Sequence, residues 1–151
     1  MRVAIALGSN LGDRQAHLDF AIDHLKSILS DLRVSTVHET EPVGVPDLQP
    51  LFLNCVVTGE TSLTPRELFR ALQVIEAARR RERPFAGAAR TLDLDLILAG
   101  DTIVNDGDLV VPHPRFRSRA FVLEPLAEVA PDMIDPVTGK NTGQLLQELR
   151  N

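Results

Sequence analysis

Apolar and polar residues alternate with a period of two along Arg90–Leu98, RTLDLDLIL, so that Leu92, Leu94, Leu96 and Leu98 fall on one side and Asp93, Asp95 and Ile97 on the other. That is the signature of a half-buried strand. Arg2–Leu7 reads as an earlier strand, and Leu32–His38 alternates as another. Phe52–Thr58 reads likewise, with Leu53, Cys55 and Val57 on one face and Phe52, Asn54 and Val56 on the other. Between the first two strands, Leu18, Ala21, Ile22, Leu25, Ile28 and Leu29 recur at helical spacing. Thr64-Pro65-Arg66-Glu67 is a capping box with proline at the first helical position, and the helix it opens turns Leu68, Ala71, Leu72 and Ile75 inward. After Gly100-Asp101, Ile103-Val104 and Leu109-Val110-Val111 form a small hairpin around Asp106-Gly107. Two short helices follow, near Ala120–Glu128 and Thr142–Leu149.

The breaks between these elements carry their own signals. Gly8-Ser9-Asn10-Leu11-Gly12-Asp13 is a turn feeding the first helix, with Ser9 or Asn10 as its N-cap. The stretch Glu41–Pro50 is a loop stiffened by Pro42, Pro46 and Pro50, and a second loop holds Pro84 and Gly87. The order β-α-β-β-α-β predicts an α+β protein with a ferredoxin-like split core. It has an antiparallel sheet, helices packed on it and a C-terminal extension. At 151 residues, residues 1–151 are expected to form a single domain.

The composition is that of a soluble globular chain, 44% hydrophobic and 25% charged. A net charge of −5 and a pI of about 5.3 argue against a nucleic-acid binder. Cys55 is the single cysteine, which excludes an intrachain disulfide and a cysteine-based zinc site. No stretch approaches a membrane span or a signal-peptide core, so a cytoplasmic protein is expected.

The chemistry gathers in a few places. Alternation puts Asp93 and Asp95 on one strand face with Cα atoms about 6.6 Å apart at ~3.3 Å rise per residue. Like charges so placed repel unless something positive sits between them. They suit Mg²⁺, which takes oxygen ligands from one or two carboxylates and from substrate phosphates. The alternative is solubilising charge on an edge strand. Arg79, Arg80, Arg81, Arg83 and Arg90 crowd the preceding stretch. The first three suit a helix C-terminus. Arg83 and Arg90 flank a loop leading to the carboxylates, which is equipment for handling polyphosphate. In Val111–Phe121, His113 sits between two prolines, with Arg115, Arg117, Arg119, Phe116 and Phe121 close by. Cations suit a nucleotide's phosphates and a ring suits its heterocycle. Asn54 beside Phe52 offers one acceptor and two donors, matching a heterocycle edge; alone, it reads as a satisfied strand polar. The Gly8–Asp13 turn is neither dinucleotide fingerprint nor P-loop and reads as structural. His17, His24 and His38 read as ordinary residues.

Taken in order, ALGSNLGD, ETEPVG, LFLN, RTLDLDLIL and VPHPRFRSRAFVLEPLAEVAPD resemble the 6-hydroxymethyl-7,8-dihydropterin pyrophosphokinase family of folate biosynthesis over nearly the whole chain. The resemblance implies a ferredoxin-like fold and transfer of pyrophosphate from ATP to the pterin hydroxymethyl oxygen, releasing AMP. It implies two Mg²⁺ ions on Asp93 and Asp95, and phosphate contacts from Arg81 and Arg90. By the same likeness, Phe52 and Phe121 sandwich the pterin, Asn54 reads its polar edge, and Thr40, Val43 and Gly44 meet the ring. His113 and Arg119 match triphosphate contacts, while Gln73, Glu76 and Arg83 lie near ATP. The loop after the second helix is one residue shorter than the usual pattern, with Ala88-Ala89 where the family has Gly-Pro, so the register of Arg81 and Arg83 can slip by one. The implied partners are ATP and the pterin, without nucleic acid or membrane, for a monomer.

Two rival readings use the same residues. One is a magnesium-dependent phosphoryl or nucleotidyl transferase acting on another acceptor, against which the Phe52–Asn54–Phe121 set speaks, since it has no purpose without a flat heterocycle. The other is a non-enzymatic ferredoxin-like module binding RNA or a small effector. The acidic pI and the absence of the sheet aromatics of an RNA-binding motif argue against RNA.

Overall fold

The computed structural model describes residues 1–41, 50–79 and 91–151. Its elements in chain order are β1 (Arg2–Ser9), α1 (Arg14–Leu25), β2 (Ser30–Val34), β3 (His38–Thr40), β4 (Phe52–Glu60), α2 (Pro65–Arg79), β5 (Asp93–Ala99), β6 (Val104–Asp106), β7 (Leu109–Val111), a 3-10 turn at Phe116–Ser118, α3 (Ala120–Val129) and α4 (Thr142–Arg150). Five strands form one sheet in the order β2-β4-β1-β5, with β3 also paired to β4, and every pairing is antiparallel. The fold is thus α+β. The predicted hairpin is present as β6 and β7, and the two expected C-terminal helices are present as α3 and α4.

Alternation on β1 and β4 divides the side chains between two cores. Val3, Ile5, Leu7, Cys55 and Val57 pack with Leu18, Ala21 and Leu25 of α1 and Leu68, Leu72 and Ile75 of α2. On the opposite face, Ala4 and Val56 pack with Phe116, Val122, Leu123, Leu126, Leu145 and Leu146. Each of these large side chains contributes about 1.5–3 kcal/mol on burial. Cys55 belongs to the first core, and burial, with Asp19 nearby, pushes its thiol up to about 12, so it packs as an inert protonated group.

Three local expectations are corrected. The stretch read as one strand, Leu32–His38, is two short strands, with Ser35 turned inward between them, where its hydroxyl accepts from Val56 N at 2.9 Å. The N-cap of α1 is Asp13, whose carboxylate accepts from Ala16 N at 3.1 Å, so Ser9 instead ends β1 and Asn10 follows it, both buried. Ile28 and Leu29 then lie beyond the helix, packed under its end. Finally, the alternation of β5 breaks. Ala4 pairs with Leu98 but Ile5 with Leu96, leaving Ile97 as an extra residue. Leu94 and Leu96 enter the first core, whereas Ile97 and Leu98 both enter the second. The capping box of α2 forms as read: Thr64 N donates to Glu67 at 2.9 Å and Glu67 N to the Thr64 hydroxyl at 3.1 Å.

Candidate active site

The second core stops at Ala6 and Phe121, which are only partly buried against it. Beyond them the same sheet face turns polar. Register places Asp95 opposite Ala6 and Asp93 opposite Gly8, and Gly8 in turn opposite Asn54, which faces His38. One row across four strands therefore reads Asp93–Gly8–Asn54–His38. Asp93 and Asn54 stand two strands apart, about 9.6 Å at ~4.8 Å per strand.

Gly8 permits this row. A Cβ there would meet Asn54 Oδ1 at 3.0 Å and Phe52 Cδ1 at 3.5 Å, so the bare backbone leaves room for the carboxamide and the ring to lean over β1. From sequence alone, Gly8 reads as part of a structural turn. The available signal was that a glycine inside a strand marks close approach by a neighbour. Asn54 is buried, and its Nδ2 donates to the Thr40 hydroxyl at 2.5 Å. Thr40 and Asn54 are thus one polar unit. Phe52 is half-buried beside them on β4, and Phe121 is half-buried on the first turn of α3, which packs over β4 on this face.

At the other end of the row, β5 is an edge strand whose outward N–H groups need partners. Glu76 of α2 supplies one, accepting from Leu94 N at 2.7 Å. Burial, opposed by that bond and reinforced by Asp93 and Asp95, pushes the Glu76 carboxyl up to about 7. Glu76 therefore joins Asp93 and Asp95 in one acidic patch. Gln73, one turn earlier, is exposed.

The segment after β7 runs along the same edge, His113 N donating to Ile97 O at 2.9 Å. Arg115 N donates to His113 Nδ1 at 3.1 Å, which leaves the neutral ring's proton on Nε2, pointing its donor elsewhere. Burial, then Arg119 and Arg115, lowers the His113 pKa to about 4 despite Asp93, so the ring is neutral near pH 7. Arg119 lies over the Phe121 ring at 5.5 Å. The segment is less uniformly cationic than its sequence suggested. Phe116 is fully buried in the second core, and Arg117 stacks on it at 4.8 Å while forking onto buried Asp135 at 2.6 and 3.0 Å. Arg115, Arg119 and Phe121 remain toward the site.

Arg81, Arg83, Arg90, Val43 and Gly44 lie outside the described residues. Arg79, read as dipole compensation, packs over Phe20 at 4.2 Å and reaches His17 Nδ1 at 3.4 Å, and its carbonyl accepts from the Thr91 hydroxyl at 2.5 Å. His24 is bound to Phe20 O at 2.9 Å.

The donor set at the edge of β5 is all oxygen, as a hard cation requires, and fits Mg²⁺ rather than a soft metal. Among the described residues no group of three or more His, Cys, Asp or Glu is disposed to hold a metal by itself. No helix among the described residues is long and apolar enough to cross a membrane.

Comparison with known proteins gives a consistent result. The family model described as 7,8-dihydro-6-hydroxymethylpterin-pyrophosphokinase matches residues 4–131. The 2-amino-4-hydroxy-6-hydroxymethyldihydropteridine pyrophosphokinase of Bacillus subtilis is 42% identical over 142 residues, 93% of this chain and 84% of that one. Its counterpart in Pseudomonas aeruginosa is 40% identical over 147 residues, covering 96% of this chain and 90% of that one. The folic acid synthesis protein fol1 of Pneumocystis carinii is 36% identical over 97% of this chain, which spans only 20% of that longer protein. Among solved structures, the Plasmodium falciparum wild-type HPPK-DHPS superposes with a TM-score of 0.73 at 13% identity, over 97% of this chain and 44% of that one.

Proposed function

The chain belongs to the 7,8-dihydro-6-hydroxymethylpterin-pyrophosphokinase family, and from that premise we infer that it transfers pyrophosphate from ATP to the hydroxymethyl oxygen of 6-hydroxymethyl-7,8-dihydropterin, yielding AMP, in folate biosynthesis. The observation that carries this reading is the row Asp93–Gly8–Asn54. It sets an acidic edge suited to a metal–triphosphate beside a polar unit suited to a heterocycle, with nothing larger than a glycine between them. A transfer enzyme needs that adjacency, because holding two reactants in line replaces a bimolecular encounter.

Thr40 and Asn54 hold the polar edge of the pterin, Phe52 and Phe121 close on its two faces, and Val43 and Gly44 contribute backbone contacts. Asp93 and Asp95 hold two Mg²⁺ ions. When bound, these ions neutralise triphosphate charge and ease ionisation of the primary alcohol. On the far side, Arg81, Arg83, Arg90 and Arg119 bear on the phosphates, Gln73 and Glu76 lie along the ATP region, and His113 offers its Nε2 proton to a phosphate oxygen. The alcohol oxygen forms a bond to the β-phosphorus as the bond from that phosphorus to the α-phosphate's bridging oxygen breaks. AMP departs and the alcohol proton is released.

The strand order supports the finer fold reading as well. If β2 and β3 are counted as one interrupted strand, β-α-β-β-α-β with order β2-β4-β1-β5 is the split arrangement of a ferredoxin-like core. Two cores packed on one sheet support reading residues 1–151 as one domain, and the same proposal takes it as a monomer in the cytoplasm. Incubation with ATP, Mg²⁺ and 6-hydroxymethyl-7,8-dihydropterin tests the activity: AMP should form only when the pterin is present. ADP, or AMP without pterin, would contradict it.

A further inference from the structure

Strand β3 is three residues long and, among the described residues, pairs only with β4: His38 with Asn54, Glu39 with Leu53, Thr40 with Phe52. So short a strand at a sheet margin holds little order by itself. Yet it carries Thr40, whose hydroxyl accepts from buried Asn54.

Two different helices fasten β3 and its approach. Before it, Thr36 donates twice to Glu128 in the last turn of α3, from its backbone N at 2.6 Å and from its hydroxyl at 2.7 Å. His38 Nε2 lies 3.1 Å from the same hydroxyl and 3.6 Å from Glu128. Within it, Glu39 pairs with Arg14 in the first turn of α1 at 3.1 Å, and Arg14 Nη1 also donates to Leu51 O, just before β4, at 2.6 Å. Leu51 adjoins Phe52 and Glu39 adjoins Thr40. Beside Arg14, Asn10 Nδ2 donates to Pro50 O at 3.3 Å. The Gly8–Asp13 turn thus does more than start a helix: it aims Arg14 and Asn10 at the margin of the site. The same α3 that carries Glu128 in its last turn carries Phe121 in its first.

We propose that Arg14 and Glu128 are positioning residues for the heterocycle half of the site, holding β3 and the start of β4 from two helices so that Thr40, Asn54 and Phe52 keep one geometry. Neither side chain is assigned a contact with substrate. Both are partly exposed, and ion pairs of that kind add little to stability. Their loss should therefore register in pterin binding and not in folding. The inference rests on the proposed transfer activity.

The test is steady-state kinetics in both substrates, with urea unfolding of the same chains. For Arg14→Met and Glu128→Ala, KM for the pterin should rise about tenfold, the scale of one lost charge-assisted hydrogen bond. KM for ATP should stay within about twofold and the unfolding midpoint near wild type. Glu128→Gln and Arg14→Lys, which still hydrogen-bond, should recover part of the loss. Unchanged pterin KM, equal rises in both KM values, or losses that track the unfolding midpoint would overturn the positioning role while the activity stands. A wild-type chain that makes no pterin-dependent AMP would instead overturn the activity, and the positioning role with it.

Discussion

The two ends of one sheet face are built from the same strands and do opposite things. At one end Ala4, Val56, Ile97 and Leu98 are sealed under α3 and α4. At the other end, past Ala6, the same strands present Asp93, Asp95, Gly8 and Asn54. The bulge at Ile97 marks the changeover on β5: it turns Leu98 into the closed end, while the two residues spaced by Leu94 stay toward the open one. The closed end gains free energy by excluding water. The open end holds three carboxyl groups, and burial, reinforced by the charges of Asp93 and Asp95, raises Glu76 to about 7. A protein keeps such an arrangement against its own stability where a ligand completes it. Substitutions at the closed end should cost stability and spare the chemistry, and those at the open end the reverse.

The largest expected effect is at the open end. Asp95→Asn should lower kcat by at least about a hundredfold, because metal charge stabilisation amounts to several kcal/mol. Without metal the variant should be as stable as wild type or slightly more so, since a like charge beside Asp93 and Glu76 is removed. Urea unfolding in chelator, alongside turnover, checks both halves. Next is the closed end: Leu126→Ala, at a fully buried position, should cost about 2–5 kcal/mol in unfolding free energy. Its KM values should stay near wild type at temperatures where it remains folded. A smaller effect is expected inside the open end, between its two substrates. Asn54→Ala should raise KM for the pterin about tenfold, the loss of paired polar contacts, and leave KM for ATP unchanged; an equal effect on ATP would merge the two halves.

The smallest effect is on pH dependence. The folded His113 has its pKa lowered to about 4, by burial first and then by Arg119 and Arg115, against an opposing Asp93. The unfolded chain therefore binds the proton more readily below about 6.5. The stability tied to the neutral ring is present above that pH and lost as pH falls toward 4. Unfolding free energy of wild type should decline more steeply over this window than that of His113→Asn. Parallel curves would show that the ring is not held neutral.

Much of the fold was legible because the chain states its periods clearly. The leucine alternation of β5, the Thr64–Glu67 box and the Asp106-Gly107 hairpin are local signals, and they form locally. What failed was tertiary. Leu98 changes face because a bulge depends on pairing with β1, which spacing along β5 does not encode. Arg117 reads as one more cation until Asp135, eighteen positions away, is seen beneath it. In the site, the acidic pair and the Phe52–Asn54 face were readable from alternation. The contribution of Gly8 was not, because an absent side chain signals nothing until its cross-strand neighbours are known. Glu76 likewise drew meaning only from the unpaired N–H of Leu94 that it satisfies.

The central claim is that the open end of the sheet is a platform for a metal-bound triphosphate. It is tested most directly by the thermal midpoint of wild type and Asp95→Asn with ATP, in excess Mg²⁺ and in chelator. A ligand that binds only the folded state at a hundred times its Kd stabilises by about 2.7 kcal/mol. Wild type should therefore gain several degrees with ATP and Mg²⁺ together and little with ATP in chelator, and Asp95→Asn should gain little in either. An equal rise in chelator, or an undiminished rise in Asp95→Asn, would contradict the account.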